Sequence, residues 1–134
     1  MSTQLNASVS AAVENLRACF PNAQIVIEPD GNGGARVAIE TVELSGIYVQ
    51  NTTWIAGHLV PQLPYADIYP LFVRGDLARR DGRPLGSGLS AGQMFLGRSA
   101  VQASRRSNRR DPAIELAGHK FLKVIEWLRT HPGT

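Results

Sequence analysis

The chain has 134 residues, a length that predicts one domain spanning 1–134. Apolar residues make up 43% and charged residues 19%, which is typical of a globular protein that folds without a disulfide or metal. The single cysteine, Cys19, excludes a disulfide framework or a thiolate metal cluster within one chain. With no apolar run of about 20 residues and no secretory pattern at the start, we expect a cytoplasmic protein with no membrane partner and no cofactor.

The charge is unevenly distributed along the chain. The net charge is +3, but residues 1–67 carry −4 and residues 68–134 carry +7. A surface that attracts a charged partner is therefore expected in the second half.

The first half has the pattern of one helix followed by an antiparallel meander. Ser8 or Ser10 can cap a helix that ends near Cys19 or Phe20, because apolar residues recur there on one helical face. The glycine-rich segment 29–34 predicts a hairpin turn, and a change of face near Thr41 predicts a bulge. The four predicted strands are Ala23–Glu28, Ala35–Leu44, Thr53–Val60 and Leu71–Val73.

The segment Gly57–Val73 runs from the third predicted strand into a corner rich in proline and tyrosine. Pro61, Pro64 and Pro70 interrupt strand pairing there and stiffen the chain. His58 lies within the apolar run, where a structural histidine is more common than a general base.

The segment 74–108 is the least regular by sequence. Three glycines between Gly86 and Gly92 indicate a loop that another chain can approach closely. Met94–Val101 is apolar enough to be buried as a short helix. A basic cluster follows, made of Arg105, Arg106, Arg109 and Arg110.

The end of the chain predicts an amphipathic helix. Asp111 is suited to cap it and Pro112 to occupy its first position. Its apolar stripe consists of Ala117, Phe121, Val124 and Leu128, widened by Ile114 and Ile125. The predicted fold is therefore α+β: an N-terminal helix, an antiparallel four-strand meander and a C-terminal helix.

This order of elements resembles the ubiquitin-conjugating enzyme fold. The specific match is Leu59-Val60-Pro61 followed by Tyr69-Pro70, which is similar to that family's exit from strand three and its Tyr-Pro signature. More closely, Gly57–Val73 and Ser104–Leu128 resemble the divergent conjugating-enzyme-like proteins of bacterial ubiquitin-like modification operons.

The resemblance implies a transferase that receives a ubiquitin-like modifier from an adenylating activating enzyme. Tyr69, Pro70 and the four arginines of the basic cluster are then expected to bind these partners. The family's acceptor is a cysteine in the loop after the Tyr-Pro, preceded by His-Pro-Asn. Here that loop is 81–92, and it contains neither.

Three hypotheses remain. A loop serine could carry the modifier as an oxyester: Ser87 is preferred, Ser90 is next, and His58 and His119 are the candidate bases. Alternatively, the domain is an inactive modifier-binding or scaffold subunit of the same pathway. A nucleic-acid-binding domain is less favoured, because no aromatic residues are interleaved with the arginines. We prefer transfer through the serine.

Overall fold

The protein, described here from a computed structural model, folds as one helix, six strands and a final helix. The structure describes residues 4–63, 66–105 and 116–134. In chain order the elements are α1 (Ala7–Cys19), β1 (Gln24–Pro29), β2 (Ala35–Glu43), β3 (Thr52–Leu59), β4 (Leu71–Arg74), β5 (Leu89–Phe95), β6 (Arg98–Ala103) and α2 (Ala117–Arg129).

All neighbouring strands pair antiparallel in the order β1-β2-β3-β4-β6-β5. The α+β class, the two terminal helices and the meander order of β1 to β4 are confirmed. The bulge predicted near Thr41 is also confirmed, as a register shift between Ile39 and Val42.

The predicted strand count of four is wrong, because a hairpin of β5 and β6 extends the sheet beyond β4. Met94–Val101 is therefore not a short buried helix, and Met94 is 67% exposed. The hairpin turns at Leu96 and Gly97, whose φ angles of 52° and 72° are both positive. Such a turn suits the twist of paired strands, but leucine at its first position is an unusual signal.

The core lies between one face of the sheet and both helices. Each helix contributes an apolar stripe that is almost fully buried: Val9, Val13 and Leu16 in α1, and Phe121, Val124 and Leu128 in α2. The two helices also meet directly, since a Cβ on Gly118 would overlap the sulfur of Cys19. Cys19 thus packs at the crossing of the helices.

The cap of α1 differs from the prediction. Asn6, rather than Ser8 or Ser10, accepts a hydrogen bond from the Val9 amide at 2.8 Å. Its own amide groups reach Gly33 and Pro61, so the start of α1 is bound to the first hairpin and to the exit of β3. Asp111 and Pro112, the predicted start of the last helix, lie outside the described residues.

The corner after β3 is held against α2. Lys120 of α2 is buried, and its Nζ donates to Asp67 at 3.2 Å and to the Arg105 carbonyl at 2.5 Å. Tyr69 and Pro70 are half-buried, are joined by a cis peptide bond and lead directly into β4. The corner, the last helix and the end of β6 therefore meet at one place.

Candidate functional site

The loop that follows β4 brings Ser87 to the surface. Ser87 is exposed and lies between Gly86 and Gly88, whose φ angles are 103° and 82°. The Ser87 side chain is therefore accessible to solvent. The predicted loop is too long: Leu89 begins β5, so residues 89–92, including Gly92, belong to a strand that pairs with β6.

His131, in the segment that follows α2, fixes the backbone of Ser87. Its Nε2 donates to the Ser87 carbonyl at 2.7 Å, and its Nδ1 accepts a hydrogen bond from the Gly133 amide at 2.9 Å. A carbonyl can only accept and an amide can only donate, so these partners define a neutral imidazole protonated on Nε2. Both ring nitrogens are thereby occupied in a side chain that is almost fully buried.

Arg79 binds the backbone of the segment that follows α2, at His131. Its buried guanidinium donates to the His131 carbonyl at 3.0 Å and pairs with Asp81 at 3.2 Å. The Arg83 backbone amide, followed by the Arg79 guanidinium, lowers the pKa of Asp81 to about 2. Asp81 therefore stays ionised at neutral pH and keeps this turn of the loop closed around Arg79.

Trp127 of α2 closes the other side of the loop. A Cβ on Gly88 would come within 2.9 Å of its ring, so Gly88 is needed for this close approach. The Arg105 guanidinium lies 5.8 Å from the centre of the Trp127 ring, and the His131 ring meets it edge-on at 5.0 Å. The exposed Arg105 thus stands beside the Ser87 loop.

Of the two predicted bases, His58 is bound elsewhere in the fold. Its Nε2 lies 2.7 Å from Oδ2 of Asp30, whose Oδ1 accepts hydrogen bonds from the amides of Asn32 and Gly34. The hydrogen bond to His58 is the largest cause that lowers the pKa of Asp30. This pair joins β3 to the turn between β1 and β2.

His119 lies in the first turn of α2, where its Nδ1 accepts from the Leu116 amide at 3.3 Å. Ser90 is exposed in β5, opposite Gln102 of β6. Within the described ranges, no hydrogen bond joins His58 or His119 to Ser87 or Ser90. Arg106, Arg109 and Arg110 lie outside the described residues.

The sequence interpretation missed His131 and Arg79. His131 lies 44 residues after Ser87, and Arg79 lies 52 residues before His131. No local spacing connects such positions. The only available signal was a histidine followed by Pro132-Gly133 at the end of an amphipathic helix.

A separate open cleft of about 470 Å³ lies near the end of β4. Its polar lining includes Thr41, Thr52 and Ser99. The Arg74 side chain is satisfied by Asp76, at 2.5 and 2.9 Å, and by the Thr52 carbonyl at 3.0 Å. The Arg74 guanidinium, which lines this cleft, is therefore already bonded within the fold.

No family model, curated protein or solved structure matches this chain. Across the described residues, no group of three or more His, Cys, Asp or Glu side chains is placed to hold a metal ion. Neither helix of the described part is long and apolar enough to cross a membrane.

Proposed function

We propose that this chain is a conjugating-enzyme-like domain that binds a ubiquitin-like modifier and its adenylating activating enzyme, without itself carrying the modifier. The order α1-β1-β2-β3-β4, with Tyr69-Pro70 at the entrance to β4, supports the family resemblance. The binding role is preferred over transfer because of His131. This imidazole touches the Ser87 backbone, yet both its nitrogens are already bonded.

A serine hydroxyl needs a base to become a useful nucleophile. If Ser87 attacked an acyl adenylate, its oxygen would form the new ester bond, AMP would leave, and a base would take the hydroxyl proton. In the observed arrangement His131 presents a proton to the Ser87 carbonyl and has no free lone pair. The chain's one cysteine, Cys19, packs at the helix crossing, so it does not replace the missing loop thiol.

Transfer through Ser87 remains the second candidate because of one observation. The Ser87 side chain is exposed between two glycines of positive φ, an open position that a large acyl group could reach. A base supplied by the activating enzyme would then be needed.

One experiment separates the two candidates. The protein is mixed with ATP and with bacterial ubiquitin-like proteins paired with their adenylating enzymes. We expect a complex by size-exclusion chromatography and no covalent adduct on denaturing gels. An adduct that resists thiol reductant, breaks in mild base, and is lost in Ser87→Ala but kept in Ser90→Ala would establish transfer instead.

Two other outcomes would contradict both candidates. One is the absence of any complex with each modifier and enzyme pair. The other is tight binding to duplex DNA that weakens steeply with salt, which would indicate that the basic cluster binds nucleic acid.

A further inference from the structure

The three residues after His131, Pro132–Thr134, lie along the Ser87 loop in the way that a bound peptide would. We call these residues the strap. The Ser87 amide donates to the Thr134 carbonyl at 3.2 Å, while the Ser87 carbonyl accepts from the side chain of His131. The strap thus occupies a backbone donor that would otherwise be offered to a partner chain.

The strap has a glycine at the one position where a side chain cannot fit. A Cβ on Gly133 would lie 2.8 Å from Cζ of Arg79, and the φ angle of Gly133 is 82°. From the other side, a Cβ on Gly86 would lie 2.7 Å from the carbonyl carbon of Gly133. The positive φ of Gly133 and the close approach of Arg79 and Gly86 therefore favour glycine at this position.

Among the described residues, two hydrogen bonds hold the strap. Pro132 and Thr134 are exposed, and Gly133 is half-buried. Its hydrogen bonds are those of Thr134 with the Ser87 amide and of Gly133 with His131. The walls of the site are anchored independently, since Arg79 is bound to Asp81 and His131 is almost fully buried. The strap can leave while the walls remain.

We propose that Arg79, Gly86, Ser87 and His131 form a binding site for an extended peptide segment with a glycine at its centre, and that the strap occupies this site in the free protein. The identification of the partner as the modifier rests on the proposed function. The preference for glycine rests on the contacts of Gly133 alone. The strap is thereby an intramolecular competitor of the partner, whose glycine amide would take the place of the Gly133 amide at Nδ1 of His131.

A tethered segment competes at an effective concentration in the millimolar range, so a free peptide binds weakly while the strap is intact. Weakening the strap should expose the site. Gly133→Ala does this in the full chain, because the added Cβ meets Arg79. Gly82→Ala is the matched control: Gly82 lies in the same loop at a φ of 75°, and a Cβ there meets nothing within 4 Å.

The probe is a fluorescein-labelled peptide, Ser-Pro-Gly-Thr-Ser, compared with the same peptide carrying alanine in place of glycine. We expect Gly133→Ala to bind the glycine peptide on the order of tenfold more tightly than the wild type or Gly82→Ala, by fluorescence anisotropy. The alanine peptide should bind none of them. Hydrogen exchange of the Ser87 amide should be faster in Gly133→Ala alone.

A chain ended after Pro132 provides a second open variant if Gly133→Ala fails to fold by circular dichroism. The proposal is overturned if the open variants bind the glycine peptide no better than the wild type, or if the Ser87 amide exchanges equally in all of them. If only the proposed function is wrong, the open variants would still bind the glycine peptide more tightly than the wild type, but the protein would bind no ubiquitin-like modifier and no activating enzyme.

Discussion

Asp30 and His58 show how a single pair of side chains fastens one element to another. Asp30 accepts from His58 and from two backbone amides of its own turn, so its carboxylate is used on both oxygens. The side chain of Asp30 is only 5% exposed, whereas that of His58 is 34% exposed. The pair therefore holds the first hairpin against the end of β3.

We predict that Asp30→Asn lowers the free energy of unfolding at pH 7 by about 1–3 kcal/mol, because charge-assisted hydrogen bonds are lost. The folded-state pKa of Asp30 lies below its unfolded value. The stabilisation is therefore present above the unfolded pKa of about 3.9 and is lost as the pH falls through the lower folded pKa. Urea unfolding of both proteins from pH 7 to pH 3 should show the difference shrinking.

The control for this prediction is Asp76→Asn. Asp76 likewise pairs with a basic side chain, that of Arg74, but the Asp76 side chain is 63% exposed. Exposed ion pairs contribute about 0–1 kcal/mol, so this variant should lose much less stability. Equal losses in the two variants would mean that burial of Asp30 has no special effect.

Among the elements, β3 packs closely against β4 and α2 at Gly57. Gly57 of β3 faces Leu71 of β4 and Phe121 of α2. An added Cβ would lie 2.5 Å from Leu71 and 3.4 Å from Phe121. The absence of a side chain at Gly57 lets the sheet and the last helix approach each other.

We predict that Gly57→Ala destabilises the protein by about 1–3 kcal/mol, because overfilling a packed core forces neighbouring groups to shift. Denaturant unfolding followed by tryptophan fluorescence measures this change. Gly46→Ala is the control, since a Cβ at Gly46 meets nothing within 4 Å. A Gly57→Ala protein as stable as the Gly46→Ala protein would show that Leu71 and Phe121 move aside without cost.

At the scale of the whole molecule, the positive half of the sequence reaches the candidate site through Arg105. Arg105 is the first residue of the basic cluster, and it is exposed. Its guanidinium lies over the ring of Trp127, and that ring is next to Gly88. Among the first 67 residues, acidic side chains outnumber basic ones. The net charges of the two halves, −4 and +7, therefore differ by eleven. A negatively charged partner would therefore be drawn toward the second half.

We predict that exchanging Arg105, Arg106, Arg109 and Arg110 together for alanine weakens binding to the activating enzyme or the modifier by about tenfold or more at low salt. The effect should fade at high salt, because screening weakens exposed charges. Isothermal titration calorimetry at two salt concentrations measures both effects. The control is the double variant Arg17→Ala and Arg36→Ala, whose arginines lie in the acidic half of the sequence. If the fourfold variant binds with unchanged affinity, the basic cluster is not part of the interface.

Much of the architecture was predictable, because it follows from local patterns. The apolar stripe of α1 and the alternation along β2 and β3 are short-range features that each element carries by itself. The hairpin of β5 and β6 was not predictable in the same way, because its turn uses Leu96 where asparagine or aspartate is the usual signal. Its alanine-rich strand β6 also lacks a strong strand preference.

Local sequence patterns were enough to specify the class of fold, the order of the first four strands and the uneven charge. These depend on neighbours in the chain. The contacts of His131 and Arg79 with the Ser87 loop, and the pairing of His58 with Asp30, follow only from the three-dimensional packing. Such partnerships depend on how α2 and the strands pack together, and that packing brings together residues 28 to 52 positions apart.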